Sequence, residues 1–390
     1  MIIFMKSYIL KNLLEIKNGQ DHKRLIDGPY PVLGSGGVMR YASEYLYDKP
    51  SILLPRKGSL SNIQYIEQPF WTVDTLYYTV INTNLANPYY LYRYIQQLDL
   101  SNLDSGTGVP SMTFDSYYNI RVSLPTVSVQ NVVSKILQKI DRKIALNWEI
   151  NRNLEAMARQ LYDYWFVQFD FPNKNGRPYK SSGGKMVWNE KLNQEMPEKW
   201  TVNKIDGIVD IFDSIRIPLS GTERRERQGQ YPYYGATGVM DYVNDFLFDD
   251  EIILLAEDGS TSNLGGHPIV QYVWGKVWVN NHAHILLPKN RTDKVFLYFL
   301  LKNIEAKKIE SGSIQKKISQ TNLLNHCVLY PSEAVISKFS QIVSPLWKEW
   351  MQSHETIDAL IKQRDELLPL LMNGQVSVMH SGLNCDLSHD

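Results

Sequence analysis

The side chains best suited to contact nucleic acid lie in one short stretch, Arg56-Lys57-Gly58-Ser59-Leu60-Ser61-Asn62. It follows an apolar run that predicts a strand, and its glycine predicts a turn at the strand end. Two cations there suit contacts to phosphate oxygens, whereas hydroxyl and amide groups suit hydrogen bonds to base edges. Arg56, Lys57, Ser59 and Asn62 are therefore candidate nucleic-acid contacts.

A related stretch, Glu257-Asp258-Gly259-Ser260-Thr261-Ser262-Asn263, carries acids in place of the two cations. Carboxylates repel phosphates, yet they can accept hydrogen bonds from cytosine amino groups. Ser260 and Asn263 are therefore candidate base contacts. The alternative for these two residues, and for Ser59 and Asn62, is that they are structural turn residues.

Two further groups of cations are candidate DNA contacts. Arg224 and Arg225 precede a tyrosine-rich strand, but neighbouring glutamates dilute their charge, so a merely solvated loop is the alternative. Lys316 and Lys317 follow a Ser-Gly-Ser turn in a segment that varies between the two halves of the chain. We predict that all four cations contact DNA.

A glycine-rich box precedes each of the stretches 56–62 and 257–263. The boxes are residues 34–37 (GSGG) and 235–238 (GATG). They lack the lysine of a GxxxxGK[ST] phosphate loop and do not follow a strand-to-helix pattern. Tight turns that need positive φ are the simpler explanation. We predict structural turns at Gly34, Gly37, Gly235 and Gly238.

The remaining motifs that could catalyse a reaction or bind a metal have simpler structural explanations. Asn87-Pro88-Tyr89-Tyr90 is similar to the Asn-Pro-Pro-Tyr motif of amino-methyltransferases, but a helix that begins with proline explains it better. His282 and His284 alternate as strand residues do, and Cys327 and Cys385 form no CxxC pair. The sequence therefore predicts neither a metal site nor a catalytic site nor a cofactor site in this chain.

The overall composition of the chain constrains its function less than these motifs do. The chain of 390 residues carries 41 basic and 41 acidic side chains, so no global positive field marks it as a nucleic-acid binder. A local basic patch is still sufficient for binding. The few cysteines and the lack of long apolar runs predict a soluble, cytoplasmic protein without a membrane segment.

The chain contains a long internal repeat. Residues 30–39 (YPVLGSGGVM) return as residues 231–240 (YPYYGATGVM), and the same offset continues through Asn62 and Asn263. About half of roughly 33 positions are identical, and a period this long indicates a duplicated domain rather than a solenoid. Short runs of aromatic and β-branched residues predict mixed domains built on short strands.

Each domain is followed by a long helix. Apolar residues recur every seven positions in 128–170 and 332–375, which predicts two helices with coiled-coil seams. On the first helix, the companion positions of the seam are expected three residues further on and include Ile150, Met157 and Tyr164. A helix of about 37 residues is about 55 Å long at 1.5 Å per residue. Neither seam can be buried alone, so we expect antiparallel packing of the two helices through Ile140, Asn147, Leu154, Leu161, Val343, Trp350, Ile357 and Leu371.

The predicted order of segments is domain, helix, domain, helix. The first domain spans 1–127 and the central helix 128–170, followed by a linker at 171–195 that glycines and prolines predict to be flexible. The second domain spans 196–331, the C-terminal helix 332–375 and a disordered tail 376–390. The fold class is α+β, with two similar mixed α/β domains separated by two long helices.

These features together resemble the specificity (S) subunit of type I restriction-modification enzymes. The resemblance is carried by the repeated YPxxGxxGVM box, residues 56–58 (RKG), 70–75 (FWTVDT), 196–200 (MPEKW) and 367–375 (LLPLLMNGQ). It covers nearly the whole chain except the linker and the tail. Single motifs of this kind are weak, but their order and duplication are specific.

The resemblance implies a division of labour among subunits. Each domain would be a target-recognition domain that reads one half of a split double-stranded DNA sequence, while the helices would set the spacing and dock two methyltransferase subunits. Restriction subunits would join through that complex. S-adenosylmethionine, ATP and Mg would be bound by partner subunits, and this chain would not be an enzyme. The alternatives are a coiled-coil scaffold that binds only proteins and, with less support, a fused methyltransferase or nuclease.

Overall fold

Strands and helices occur in the same order twice along the chain. The computed structural model describes residues 4–58, 60–100, 111–289, 293–312 and 315–374. The first half contains β1 Lys6–Ile9, α1 Leu10–Leu13, β2 Leu14–Lys17, β3 Tyr30–Gly34, β4 Gly37–Ala42, β5 Ser51–Pro55, β6 Gln64–Ile66, β7 Trp71–Thr72, β8 Leu76–Ile81, α2 Pro88–Gln96, α3 Phe114–Tyr118, β9 Arg121–Leu124 and α4 Val127–Tyr162.

The second half repeats this order with several additions. It contains β10 Met186–Asn189, β11 Gln194–Pro197, β12 Thr201–Lys204, β13 Val209–Ile211, α5 Gly221–Glu226, β14 Gln228–Tyr234, β15 Val239–Val243, β16 Phe248–Asp249, β17 Ile252–Ala256, β18 Val270–Val273, β19 Lys276–Val279, β20 Ala283–Pro288, α6 Lys294–Lys302, β21 Glu310–Ser311, β22 Lys317–Ile318, α7 Gln320–Asn325, β23 Cys327–Tyr330 and α8 Glu333–Met372.

The sheets of the two halves have matching strand orders. The order β2-β8-β5-β6 in the first domain corresponds to β13-β20-β17-β18 in the second. The order β4-β3-β7 corresponds to β15-β14-β19, which β16 extends by one strand, and the pair β1-β9 corresponds to β12-β23. The prediction of two similar mixed domains and two long helices is confirmed.

The central strand of each four-stranded sheet is buried on both faces. Every residue of β5 and of β17 is buried, with Leu53 and Leu254 fully excluded from solvent. This double burial explains why both strands are continuous apolar runs rather than alternating ones. The polar residues that follow each strand must therefore turn away from the core.

The structure divides into two compact units whose limits fall inside the long helices. One unit comprises residues 1–147 and 355–390, and the other comprises 148–354. Each predicted domain, 1–127 or 196–331, lies within one unit together with adjoining parts of α4 and α8. Among the described residues, no helix is long and apolar enough to cross a membrane.

In the first unit, the beginning of α4 packs with the end of α8. Val133 and Leu137 share a core with Leu368 and Leu371. Further along α4, Asp141 accepts a hydrogen bond from Arg364 Nη1 at 3.2 Å. Partners on α8 thus come earlier in the chain as α4 advances, so this part of the helix pair is antiparallel.

The second unit has a core rich in aromatic rings. Tyr162 and Phe166 from the end of α4 pack against Phe296 of α6 and Phe339 of α8. Nearer the middle of the helices, the side chains of Asn151 and His354 are 2.7 Å apart. These contacts tie the second domain to both helices within this unit.

The predicted seam residues differ in burial between the two long helices. Leu154, Val343, Trp350, Ile357 and Leu371 are buried. Ile140, Asn147 and Leu161 are half-buried.

The companion positions of α4 follow four residues after the seam positions rather than three. Leu137, Ile144, Asn151, Ala158 and Trp165 are buried, whereas Ile150, Met157 and Tyr164 are exposed. The sequence favoured Ile150, Met157 and Tyr164 for burial, because their residue types are apolar and they lie three residues after the seam positions.

The predicted flexible linker, 171–195, is ordered by internal contacts. Phe171 stacks between Tyr179 and Trp200, with ring centroids 4.7 and 5.5 Å away. Ser181 Oγ donates to Asp170 at 2.6 Å, and β10 pairs with β11. Ring stacking and pairing of backbone groups thus outweigh the flexibility that glycine and proline content predicted.

The helix limits differ slightly from the predicted ones. After Tyr162 the chain forms one π-helical turn, Asp163–Val167, and Phe169 then adopts a positive φ of 65°. The C-terminal helix stops at Met372, where Gly374 has a φ of 66° that suits a helix end. The predicted tail 376–390 lies outside the described residues.

An ion-pair group links three helices of the first unit, and it can be tested by substitution. Asp141 on α4 bonds Arg93 and Tyr89 of α2 as well as Arg364 of α8. Arg93 is largely buried, so Asp141→Asn leaves a desolvated cation without its counter-charge. We expect the free energy of unfolding of this unit to fall by about 1–3 kcal/mol, measured by urea titration.

Asp365→Asn is the matched control. Asp365 also bonds Arg364, at 2.8 Å, but its carboxylate is more exposed, so its loss should change stability by less than about 0.5 kcal/mol. Equal effects of the two substitutions would contradict a structural role for Asp141.

Candidate nucleic-acid interface

In the first domain, the stretch after β5 lies beside the tip of the β3–β4 hairpin. Asn62 Nδ2 donates to Ser35 O at 2.6 Å, and Gln64 Nε2 donates to Gly34 O at 3.0 Å. Gly58, with a φ of 89°, lies close enough that a Cβ there would be 3.4 Å from Ser35 Oγ. We call residues 34–37, 56–58, 60–62 and 111–112 the first edge.

The second domain has the corresponding surface. Gln271 Nε2 donates to Gly235 O at 3.1 Å and to Ala236 O at 3.0 Å, as Gln64 does in the first domain. The loop after β17 and strand β22 lie beside one another, because Ile318 N donates to Glu257 O at 2.8 Å. We call residues 235–238, 257–263 and 316–318 the second edge.

The four glycines predicted as structural turns lie at the two hairpin tips. Gly37 and Gly238 have φ values of 115° and 146°, which side chains rarely adopt. A Cβ on Gly34 would lie 2.8 Å from Met39 Sδ, and one on Gly235 only 2.4 Å from Met240 Sδ. One glycine of each tip is thus favoured by its backbone conformation, whereas a side chain at the other would displace the methionine that crosses it.

Arg56 and Lys57 occupy different environments on the first edge. Arg56 Nη1 donates to Asp74 O at 3.4 Å, and its guanidinium lies 6.0 Å from the centre of the Tyr77 ring. The Lys57 backbone bridges to Ser111, while its side chain is exposed. Lys57 is therefore the more accessible cation. Ser59 lies outside the described residues.

The two asparagines make hydrogen bonds inside their own domains. Asn62 holds the hairpin tip, as described above, whereas Asn263 Oδ1 accepts from Gly265 N at 2.9 Å and His267 N at 3.2 Å. These contacts favour the turn alternative for Asn62 and Asn263. Ser260, by contrast, is exposed on the second edge.

Acidic and basic residues exchange places between the two edges. Lys57 bridges to Ser111 in the first domain, and at the matching place in the second domain Asp258 bridges to Lys317. The cation is therefore on the loop after the central strand in one domain and on the facing segment in the other. Each edge therefore has one lysine at this backbone bridge. The sequence repeat alone shows only that Asp258 replaces Lys57.

The lysines of the second edge are paired with nearly buried carboxylates. Lys317 Nζ lies 3.0 Å from Glu257, and Lys316 Nζ lies 3.0 Å from Glu310. The hydrogen bond with Glu257 raises the pKa of Lys317. Burial would raise the pKa of Glu310, but bonds from Thr261 and Lys316 outweigh it and lower that pKa. Both lysines are cations whose charge is partly satisfied within the protein.

Arg224 and Arg225 separate into an internal and an accessible residue. Arg224 Nε donates to Asp241 at 3.0 Å, its Nη1 donates to Leu219 O at 2.8 Å, and its guanidinium covers the Tyr233 ring. Arg225 is exposed and bonds only to Thr222 among the described contacts. Arg224 thus supports the fold, and Arg225 remains the candidate contact.

Glu257 of the second edge forms a group with Asp213 and His284 that has the geometry of metal ligands. Their atoms are already engaged by other protein groups. Arg216 Nη1 donates to Glu257 at 2.7 Å, and His284 bonds Asp213 through Nδ1 and Ile318 O through Nε2. Burial would raise the pKa of Asp213, but bonding to His284 outweighs it and lowers that pKa. The group serves as an internal support for the loop and for β22.

The Asn87-Pro88 motif begins α2, as the sequence indicates. Asn87 is the residue before the first helical turn, and its Oδ1 accepts from Tyr90 N at 3.0 Å, with Pro88 inside that turn. Asn87 also contacts α4 through Gln130, Asn131 and Ser134. Its amide is thus used for helix capping and helix packing.

Sequence reasoning missed the residues that support the edges. Gln64 of β6 and Gln271 of β18 are corresponding residues. The second half has six extra residues between the repeat and Gln271, so the constant offset of the repeat does not align the two glutamines. Aligning the halves again after Asn62 and Asn263 would have revealed the pair. The ion pair of Arg216 with Glu257 could not be read from the sequence, because the two residues are distant in sequence.

The comparisons with known proteins agree on one family. The family model described as the type I restriction modification DNA specificity domain matches residues 5–156 and 197–363, once for each half. The specificity subunit of the type I restriction enzyme MjaIX from Methanocaldococcus jannaschii is 21% identical over 363 residues, covering 87% of this chain and 81% of that protein.

Two further relatives extend this result. The type I restriction enzyme HindI specificity subunit of Haemophilus influenzae is 41% identical over 66 residues, 17% of this chain and 14% of that protein. The crystal structure of the type I restriction-modification S subunit from M. genitalium has the same fold, with a TM-score of 0.61, 17% identity and 97% coverage of both chains. With both halves matched by its domain, the chain belongs to the family of type I restriction-modification DNA specificity subunits.

Proposed function

We propose that the two domains of this specificity subunit read the two halves of an asymmetric, bipartite double-stranded DNA target. The observation that carries this proposal is the contrast between a common fold and divergent edges. Sheet order, hairpin tips and the glutamines that support them recur, whereas the charged residues around each central strand end do not. A duplicated fold with different contact residues suits two different half-sites.

The exposed candidates fit contacts to DNA better than the internal ones. Lys57 and Arg225 suit phosphates, Ser260 suits base edges, and Lys316 and Lys317 are half-exposed cations. The carboxylate of Asp258, which is 37% exposed, would also accept hydrogen bonds from cytosine amino groups. The second edge therefore offers both phosphate contacts and base contacts, and the first edge offers the phosphate contact of Lys57.

The helices would serve assembly rather than recognition. Ile150, Met157 and Tyr164 are exposed apolar residues on one face of α4, which suits the docking of methyltransferase subunits. Antiparallel packing as a coiled coil would set the spacing between half-sites. Two methyltransferase subunits and, through them, restriction subunits would bind S-adenosylmethionine, ATP and Mg, and the chain itself would not catalyse a reaction in the cytoplasm.

Exchanging one domain tests the independence of the two readers. Replacing residues 1–125 with the matching segment of another family member should change one half-site and leave the other half-site and the spacing unaltered. The measurement is methylome sequencing of cells that express the chimaera with its partner subunits. Changes in both half-sites would refute independent reading, and exchange of the second domain provides the reciprocal control.

Lys57→Ala tests the first edge. Losing one phosphate contact should weaken binding by the assembled complex and reduce the slope of log K against log salt by about 1. Lys49→Ala is the control, because Lys49 is also exposed but lies before β5, at the opposite end of the strand from Lys57. The same slope for K57A and for the unaltered protein would remove Lys57 from the interface.

Glu310→Gln tests whether the carboxylate competes with DNA for Lys316. The amide keeps an oxygen for Thr261 Oγ1, which donates to Glu310 at 2.6 Å, but removes the negative charge beside Lys316. We expect E310Q to bind DNA about three- to tenfold more tightly at low salt, and K316A to bind more weakly. In the double variant the gain should vanish; a gain that persists without Lys316 would show another origin.

A further inference from the structure

The strands that leave the two hairpin tips expose the same apolar side chains. Val38, Met39 and Tyr41 lie on β4, and Val239, Met240 and Tyr242 lie at the matching positions of β15. All six are between 43% and 58% exposed. The two methionines also cross the tip glycines, but core packing does not explain why the valines and tyrosines recur in both domains.

Both strands are at the edge of their sheets. The order is β4-β3-β7 in the first domain and β15-β14-β19-β16 in the second. Exposed edge strands of soluble proteins commonly carry charges or proline that prevent pairing with other chains. Here the exposed positions of the described strands are apolar instead, which is typical of a surface that another protein covers.

The one charged residue within each strand has opposite sign in the two domains. Arg40 of β4 pairs with Asp27 at 2.5 Å, and Asp241 of β15 pairs with Arg224 at 3.0 Å. Each charge is thus neutralised by its own domain. The two strips present nearly the same uncharged chemistry, so the same partner surface can bind either one.

DNA is a poor occupant for these strips. A strip that faced phosphates in both domains would need a cation at the same place, but the second domain has Asp241 where the first has Arg40. The recurring residues are also the same in both domains, so they cannot distinguish two different half-sites. A partner present in two identical copies accounts for both the repetition and the neutrality.

We propose that the strips Val38-Met39-Tyr41 and Val239-Met240-Tyr242 are equivalent docking sites for two copies of one partner protein, each covering one edge strand with an apolar surface. The proposed function, on which this assignment rests, identifies that partner as the methyltransferase subunit. The contact is separate from the exposed face of α4. It ties each methyltransferase subunit to the domain whose half-site it modifies.

Val38→Ser/Tyr41→Ser and Val239→Ser/Tyr242→Ser test the two strips separately. Both methionines are kept, because they cross the tip glycines and their loss could disturb the hairpins. Ile26→Ser is the matched control, since Ile26 is 74% exposed beside the same strand but has Arg227 as its counterpart in the repeat. Thermal unfolding of the full-length variants checks that the domains stay folded.

The measurement is titration of each full-length variant with the purified methyltransferase subunit of the same system, followed by calorimetry and native mass spectrometry. Each paired variant should weaken one of two binding steps by about tenfold or more, and the fourfold variant should weaken both. I26S should bind as the unaltered chain does. Sequence-selective DNA binding by fully assembled complexes should be unchanged.

Four results would overturn the proposal. Two unaltered binding steps in the fourfold variant would show that the strips are not docking sites, while leaving the proposed function intact. A loss confined to DNA affinity, or a change only in self-association, would assign the strips to DNA or to a second copy of this chain. If the unaltered chain itself bound no methyltransferase subunit, the assembly role in the proposed function would fail together with this assignment.

Discussion

Complete burial of the central strand is the constraint on which each domain depends. The strands β5 and β17 are enclosed by neighbouring strands on both sides and by core residues on both faces. Their apolar side chains cannot shift by one residue without placing polar neighbours in the core. The loops after these strands are consequently held in one place, and their residues can vary in charge while the fold remains the same.

The hairpin tips are positioned by a second, polar constraint. A glutamine of β6 or β18 donates to backbone carbonyl groups at each tip, and a glycine with positive φ lies in the turn there. A loop that carries recognition residues gains from such support, because contacts must be held in place before binding to limit the entropy lost on association. The shared residues are thus support, whereas the variable ones are available for contact.

Much of the fold was predictable because it depends on local and repeated patterns. The strand at Ser51–Pro55, the helix that begins at Pro88 and the two long helices follow from apolar runs, capping residues and seven-residue spacing. The stacking of Phe171 between Tyr179 and Trp200 was not predictable, because Trp200 is distant in sequence from the other two. The companion positions on α4 were missed because exposed Ile150 and Met157 imitate buried seam residues. For the candidate site, residue types indicated which side chains suit DNA, but only the structure distinguished Lys57 from the internally bonded Arg224.

The exchange of charge between the two edges has an evolutionary consequence. Glu257 is partly buried and pairs with both Arg216 and Lys317, so an acid introduced there without these cations would be an unpaired carboxylate, whereas Lys317 without Glu257 would lack its counter-charge. These positions are expected to show epistasis, so a lineage that acquires a new half-site would have to pass through a destabilised intermediate or change them together. New specificities of this edge should therefore arise more readily by recombination of whole domains than by successive point mutations.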